Sequence, residues 1–145
     1  MGGATIDIHW TRAAQEVQGA VAVRKQVFCV EQGVPLEEEL DGRDDEALHL
    51  VAAEDGRVIG TLRLLLDGAQ AKVGRVAVLS DWRRQGIALE MLELAIAQAR
   101  ERGCTRASLA SQTYAIPLYE QAGFAVDSDI FEEAGMPHVW MRMRL

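Results

Sequence analysis

The pattern of apolar and polar positions in the first half of the chain predicts strands. Apolar residues alternate with polar ones over residues 6–10, which indicates a short strand with one buried face. Apolar runs at 48–53, 58–66 and 72–79 are separated by Gly and Asp, residues typical of tight turns. These three runs therefore predict an antiparallel meander.

Helical periodicity appears in two longer stretches. Residues 13–30 are helix-like up to Gly33 and Pro35, and a loop is expected to follow. Apolar residues recur at helical spacing from Ile87 to Ala99, and Gly103 is the expected C-terminal cap. The second stretch is the longest helix that the sequence predicts.

The rest of the chain predicts a strand at 105–110, a short helix at 116–121 and closing strands at 124–130 and 139–145. A strand, helix and strand in succession imply a right-handed crossover and local parallel pairing. The pattern thus predicts an α/β fold with a mixed, largely antiparallel central sheet of six or seven strands and about four helices.

Composition indicates one globular domain. The chain has 145 residues, of which 49% are hydrophobic and 26% charged, and it has no apolar run long enough to span a membrane. Residues 1–8 show no leader pattern, so a cytoplasmic location is expected. Cys29 and Cys104 form neither a disulfide framework nor a metal-ligand spacing, and no metal site is expected.

The net charge of −7 comes from one segment, residues 31–46, which contains eight acids and Arg43 as its only base. An acidic chain disfavours nucleic acid as a partner. This acidic segment either rims a pocket and attracts cationic amines, or is a charged loop exposed to water.

The turn from Arg83 to Ala88 is the strongest chemical signal, because it lies where a predicted strand leads into the longest helix. Backbone N–H groups at a helix N-terminus attract anions, and Gly86 and Ala88 allow a ligand to approach closely. Arg83 and Arg84 add positive charge. The turn is either an anion site or a solvated turn whose glycine relieves packing.

Several motifs, in order, resemble the GNAT superfamily of N-acetyltransferases. They are Arg-x-x-Gly-x-Ala at 83–88 after the strand Val76-Ala77-Val78, and Leu-Tyr-Glu-Gln-Ala-Gly-Phe at 118–124. Residues 27–32 and Gly-Met-Pro-His at 135–138, together with Arg24, resemble its small bacterial ElaA-like or YjcF-like branch. The resemblance covers nearly the whole chain and implies the GNAT fold, with acetyl-CoA as the acyl donor and an amine as the acceptor.

The resemblance also assigns donor-binding residues. Pantetheine is expected to pair with Val76, Ala77 and Val78, and pyrophosphate to lie on the turn formed by Arg83, Arg84, Gln85, Gly86, Ile87, Ala88 and Leu89. Gln112 stands where many members have Asn, so one hydrogen bond to the donor that the family makes is in doubt here.

Tyr119 lies at the proton-donor position of the resembling motif. A phenol is protonated at neutral pH and can donate a proton to a departing thiolate, although a buried structural tyrosine fits the same position. The backbone N–H of Val78 is the expected oxyanion donor. Glu31, His49 and His138 are candidate general bases, each with a structural alternative, and a water relay can replace a base.

The sequence therefore predicts direct transfer of acetyl from acetyl-CoA to a primary amine, in a ternary complex and without an acyl-cysteine intermediate. A small-molecule acceptor is favoured, because a chain this short leaves little room for a peptide groove. The alternatives are a protein lysine or N-terminal acetyltransferase and a non-catalytic acyl-CoA sensor. The acceptor stays unidentified, and the oligomeric state stays open, with a homodimer as one alternative.

Overall fold

The fold is taken from a computed structural model of the chain, which describes residues 5–145. The prediction that no leader is present rests partly on residues 1–4, which lie outside the described residues. Among the described residues, no helix combines the length and the apolar character needed to cross a membrane.

A single twisted sheet runs through the described chain in the order β1-β2-β3-β4-β5-β8-β6, with β7 paired to β8. The strands are β1 Ile6–Trp10, β2 Leu48–Glu54, β3 Arg57–Asp67, β4 Gln70–Val78, β5 Arg106–Gln112, β6 Ala125–Val126, β7 Phe131–Glu133 and β8 Met136–Arg144. All neighbours are antiparallel except β4 and β5, which are parallel. This exception follows from the helical crossover between them.

The helices cover both faces of the sheet. They are α1 Ala14–Arg24, which continues as a π-helical segment over Lys25–Glu31, α2 Leu36–Glu39, α3 Ile87–Glu101 and α4 Ile116–Ala122. α1 packs mainly on β3, whereas α3 packs on β2, β3 and β4 and also contacts α4. The main core lies on the α3 side, because its apolar stripe, including Met91, Leu92 and Ala95, is fully buried against Leu62 and Leu64 of β3.

The predicted fold class is confirmed: the sheet is mixed and largely antiparallel, and it is flanked by four α-helices in the described chain. It has eight strands rather than six or seven. β7 and β8 form a hairpin whose turn, Ala134-Gly135, has positive φ at both residues, as a tight two-residue hairpin turn requires.

Two predicted boundaries were wrong. The strand expected at 124–130 is paired only over Ala125–Val126, because the N–H of Asp127 and the hydroxyl of Ser128 bond to Trp140 and bend the chain away. The loop expected after Pro35 contains α2 and a 3₁₀ turn, Asp44–Glu46. Proline suits the position just before α2 because its φ is already fixed.

Candidate active site

The parallel strands β4 and β5 diverge and leave a wedge-shaped pocket between them. The strands pair only between Gln70–Lys72 and Arg106–Ser108, and then diverge toward Val78 and Gln112. A bulge accompanies the divergence: the pairing of β4 with β3 shifts register, and Arg75 adopts φ 52°. The resulting pocket has a volume of about 710 Å³.

The wedge brings together seven of the twelve predicted site residues, which line the pocket: Val76, Ala77, Val78, Arg83, Ala88, Gln112 and Tyr119. The other five, Arg84, Gln85, Gly86, Ile87 and Leu89, lie on the turn and first helical residues next to it. Ile87 is buried in the core and anchors the start of α3.

The backbone of β4 turns polar groups toward the open wedge. The N–H of Leu79 bonds to the carbonyl of Ile59 on β3 at 2.9 Å. Successive N–H groups of a strand point to opposite edges, so the N–H and carbonyl of Val78 are directed toward β5. The Val78 carbonyl accepts a hydrogen bond from Nε of Arg83 at 2.8 Å, which agrees with that direction.

The turn before α3 has the geometry of an anion cradle. Arg84 and Gly86 both adopt left-handed backbone conformations, with φ 63° and 81°. No side chain in the described chain caps α3, and a Cβ built on Gly86 would meet no atom within 4 Å. The first N–H groups of α3 therefore face an open space with the positive end of the helix dipole behind them.

Two side-chain contacts bridge the pocket mouth from the end of the π-helical segment. Arg83 binds both carboxylate oxygens of Glu31, at 3.0 and 2.9 Å. Gln112 donates from Nε2 to Oε1 of Gln32 at 2.8 Å. Arg83 and Gln112, predicted to contact the donor, thus tie the end of the π-helical segment to the turn after β4 and to β5.

Tyr119 of α4 is buried, and its ring meets Phe124 edge to face, with ring centroids 6.4 Å apart. Burial raises the pKa of the phenol well above its ordinary value, and nearby Tyr114 adds to the effect. The hydroxyl of Tyr119 is therefore protonated across the physiological pH range, as a proton donor must be.

The three candidate bases occupy different environments. Glu31 is paired with Arg83. His49 is buried on β2, where its Nε2 lies 2.9 Å from the carbonyl oxygen of Asp44, away from the pocket lining. His138 is buried on β8 and lines the pocket. Of the three, only His138 has its imidazole in the pocket wall.

An ion-pair cluster, Arg24, Arg63 and Arg75 with Glu39, Asp41 and Asp44, fixes the acidic segment. Arg24 binds Glu39 at 2.6 Å, and both side chains are 1% exposed. The remaining contacts run from Arg24 and Arg63 to Asp44, from Arg63 to Asp41, and from Arg75 to Glu39 and Asp41. The interpretation of this segment as a water-exposed charged loop was wrong for Glu39, which is buried, whereas Asp41 is exposed and Asp44 is half-buried.

The cluster changes the acidity of its members. Hydrogen bonds from Arg63 hold the pKa of Asp41 far below its usual range. Burial opposes ionisation of Asp44, but hydrogen bonds from Arg24 and Arg63 outweigh it and lower its pKa. Burial also lowers the pKa of Arg75. Both aspartates stay ionised at neutral pH.

The sequence analysis did not identify the roles of Arg63 and Arg75, which both line the pocket. A signal for Arg63 was present: it interrupts the apolar run 58–66, and a charge within a buried strand requires partners. Arg75 gave no comparable signal, because its role depends on the bulge.

Metal ligands and cysteines are the other potentially reactive groups of the described residues. Within residues 5–145, no group of three or more His, Cys, Asp or Glu side chains could hold a metal ion. Cys29 and Cys104 are free thiols, and neither belongs to the pocket lining.

The sequence matches the Acetyltransferase (GNAT) domain family over residues 12–145. The chain is 32% identical to the uncharacterized N-acetyltransferase YjcF of Bacillus subtilis (strain 168), over 88% of this chain and 91% of the relative.

Solved structures agree with this match. An acyl-CoA N-acyltransferase from Pseudomonas aeruginosa superposes with a TM-score of 0.84 and 30% identity, covering 95% of this chain and 99% of the other. ElaA of Escherichia coli superposes with a TM-score of 0.84 and 20% identity, covering 95% and 98%. The predicted resemblance is thereby confirmed.

Proposed function

The chain belongs to the GNAT family of acetyltransferases, and from this premise we propose that it is a single cytoplasmic N-acetyltransferase domain. Its reaction is the direct transfer of an acetyl group from acetyl-CoA to a primary amine of a small molecule. The wedge between β4 and β5 carries the proposal, because exposed strand backbone and a buried phenol line one pocket, and the anion cradle lies next to it.

The donor fits the cradle and the open edge of β4. Pyrophosphate would lie on the uncapped N-terminus of α3, with Gly86 allowing close approach and Arg84 supplying charge. Pantetheine would pair with the backbone of Val76–Val78 as an added strand. The N–H of Val78, directed into the wedge, would donate a hydrogen bond to the developing oxyanion.

Tyr119 is the proposed catalytic acid. Its proton would pass to the thiolate as the carbon–sulfur bond breaks, and its apolar surroundings keep that proton in place until then. Neither cysteine lines the pocket, which supports direct attack by the amine over an acyl-cysteine route.

The residues that line the pocket also indicate which kind of amine would fit it. Val27, Phe28, Val34 and Leu65 give part of the lining an apolar character. Within the ion-pair cluster, three arginine charges balance three carboxylate charges. The cluster therefore supplies little net attraction for a cationic amine, and a compact amine with an apolar body suits the pocket better than a polycation.

An assay of free coenzyme A release tests the proposal. The purified chain is supplied with acetyl-CoA and ethylamine, 2-phenylethylamine, spermidine or a lysine-containing peptide, and thiol formation is followed. We expect turnover with a small monoamine above the rate without acceptor. Turnover only with the peptide would indicate a protein acetyltransferase, whereas tight acetyl-CoA binding without turnover on any amine would indicate a sensor.

A further inference from the structure

His138 occupies an unusual position for a buried histidine. It is 6% exposed, lies on β8 opposite Gln112 of β5, and lines the wedge pocket. Phe131 of β7 stacks on its ring, with the centroids 6.0 Å apart. Packing therefore holds the imidazole in one orientation.

The hydrogen bond of His138 fixes its tautomer. Nδ1 lies 2.8 Å from the carbonyl oxygen of Met136. A carbonyl oxygen only accepts hydrogen bonds, so Nδ1 carries the proton of the neutral ring and Nε2 carries a lone pair. The carboxylate of Glu133 lies 3.7 Å from Nε2 and is more than half exposed. Protonation of Nε2 would thus create a pair with Glu133.

His138 and Tyr119 lie on opposite faces of the sheet, with the wedge between them. Phe131 also stacks on Trp140, which places the rings of residues 138 and 140 on one face. Val139 and Met141 point to the other face and share the main core with Tyr119. A substrate that passes through the wedge can therefore contact a proton donor on one side and a proton acceptor on the other.

We propose that His138 is the general base of the transfer reaction, acting from the acceptor side of the sheet. This inference rests on the proposed acetyltransferase function. Nε2 of His138 accepts one proton from the attacking nitrogen as the nitrogen–carbon bond forms. The carbon–sulfur bond then breaks, and the thiolate takes the proton of Tyr119. Solvent returns a proton to Tyr119 and removes one from His138, so amine and thioester become amide and thiol.

Three titratable groups face this site from neighbouring elements. Glu133 of β7 approaches Nε2, Lys72 of β4 lies 5.4 Å from the ring centre of the adjacent Trp140, and Tyr114 of the turn after β5 is exposed at the pocket rim. The carboxylate of Glu133, 3.7 Å from Nε2, is the nearest of these charges to the imidazole.

The first test replaces His138 by Gln, which is polar but cannot take up a proton near neutral pH. With the fastest amine of the panel, we expect kcat to fall about 10²-fold or more, and the acidic limb of its pH profile to disappear. The Kd of acetyl-CoA should stay within about threefold. His49→Gln is the matched control, because His49 is equally buried and also contacts a backbone carbonyl, but lies outside the pocket lining.

Amines of different basicity distinguish a general base at His138 from a residue that only packs. 2,2,2-Trifluoroethylamine, the trifluorinated analogue of ethylamine, is mostly neutral at pH 7, and its nitrogen needs less help than that of ethylamine in losing a proton. The defect of His138→Gln should therefore shrink with this analogue. Equal defects with both amines, or a full-rate His138→Gln enzyme, would overturn the role of His138 while wild-type turnover kept the acetyltransferase function intact.

A second variant protects the test against misfolding. Glu133→Gln changes an exposed side chain beside Nε2 and leaves the imidazole in place, so the acidic limb of kcat should remain. Glu132→Gln, one residue earlier on the same strand, is the control and should also keep the limb. Loss of the limb in Glu133→Gln but not in Glu132→Gln would assign the limb to Glu133 and contradict the role of His138.

Discussion

The proposed proton donation depends on a single buried side chain, Tyr119. Its phenol lies among apolar side chains, so the charged form is disfavoured and the proton is retained. Tyr119→Phe removes one oxygen and little volume. We expect kcat to fall about 10²-fold or more, while the Kd of acetyl-CoA changes by less than about threefold, because the hydroxyl serves the departing thiolate in the transition state.

The leaving group provides the measurement that identifies this role. An acetyl thioester of a more acidic thiol needs less assistance, so the defect of Tyr119→Phe should shrink with such a donor. Tyr114→Phe is the control, since Tyr114 lies at the pocket rim and is 75% exposed. A defect of the same size with all donors would assign Tyr119 to packing.

At the residue level, the sequence predicted what depends on local context and missed what depends on distant partners. Gly86 could be placed at an anion turn because the strand, the turn and the helix are consecutive in the chain. The partners of Arg24 could not be predicted, because Glu39 and Asp44 are brought to it only by the folding of the acidic segment. His138 could be named as a candidate base, but its free nitrogen depends on the β7–β8 turn.

At the level of elements, the acidic segment is held to β3 and β4 by charge as well as by packing. Arg63 and Arg75 extend from these strands, and Arg24 extends from α1, toward Glu39, Asp41 and Asp44. Removal of one partner leaves an uncompensated charge that is partly shielded from water, and for a fully buried pair this costs about 3–5 kcal/mol. The cluster thus positions one wall of the pocket.

This cluster predicts a pH-dependent stability. The pKa of Asp44 is lower in the folded chain than in the unfolded chain, so its ionised form stabilises the fold above the unfolded pKa. The contribution is lost as pH falls through the lowered value. Asp44→Asn should reduce the free energy of unfolding by about 2 kcal/mol at pH 7, because Asp44 keeps some contact with water, and by less near pH 3, which lies below the unfolded pKa.

Urea unfolding of Asp44→Asn and Asp45→Asn at both pH values makes the comparison. Asp45 is adjacent, exposed and outside the cluster, so its variant should match wild type at either pH. A similar loss for both variants at pH 7, or a loss for Asp44→Asn that persists unchanged at pH 3, would contradict the role of the cluster.

The longer elements were predictable, and so were β1 and α4, whereas α2 and β7 were not predicted and the bounds of β6 were wrong. α3 was predicted because its buried stripe recurs at helical spacing over four turns, and β2, β3 and β4 because turn residues separate their apolar runs. β6 and β7 have only two and three residues, which is too short for periodicity. Their positions are decided by pairing with β8, which is a tertiary effect.

At the scale of the whole molecule, one sheet connects the proposed donor side of the pocket to its proposed acceptor side. The ladder is continuous from β1 to β6, and α1 and α3 pack on opposite faces of the same strand, β3. Tyr119 belongs to the main core, and Gly86 directly precedes Ile87, another core residue. A ligand bound in the wedge therefore contacts residues that separate only when the sheet unfolds. Donor binding should therefore stabilise the molecule as a unit.

Thermal unfolding tests this coupling and the unity of the domain together. We expect one cooperative transition, and acetyl-CoA at 100 times its Kd should add about 2.7 kcal/mol, which raises Tm by about 10 °C. Gly86→Val should lower Tm through its strained left-handed backbone and also reduce the shift caused by acetyl-CoA, because the new side chain fills the cradle.

Gly103→Val is the matched control: Gly103 has φ 83°, equally open surroundings and a place at the other end of α3. Its variant should carry the same strain but keep the full ligand shift. If acetyl-CoA raised the Tm of both variants equally, the assignment of the pyrophosphate to this turn would be wrong. Two separate transitions would show that the chain does not unfold as one domain.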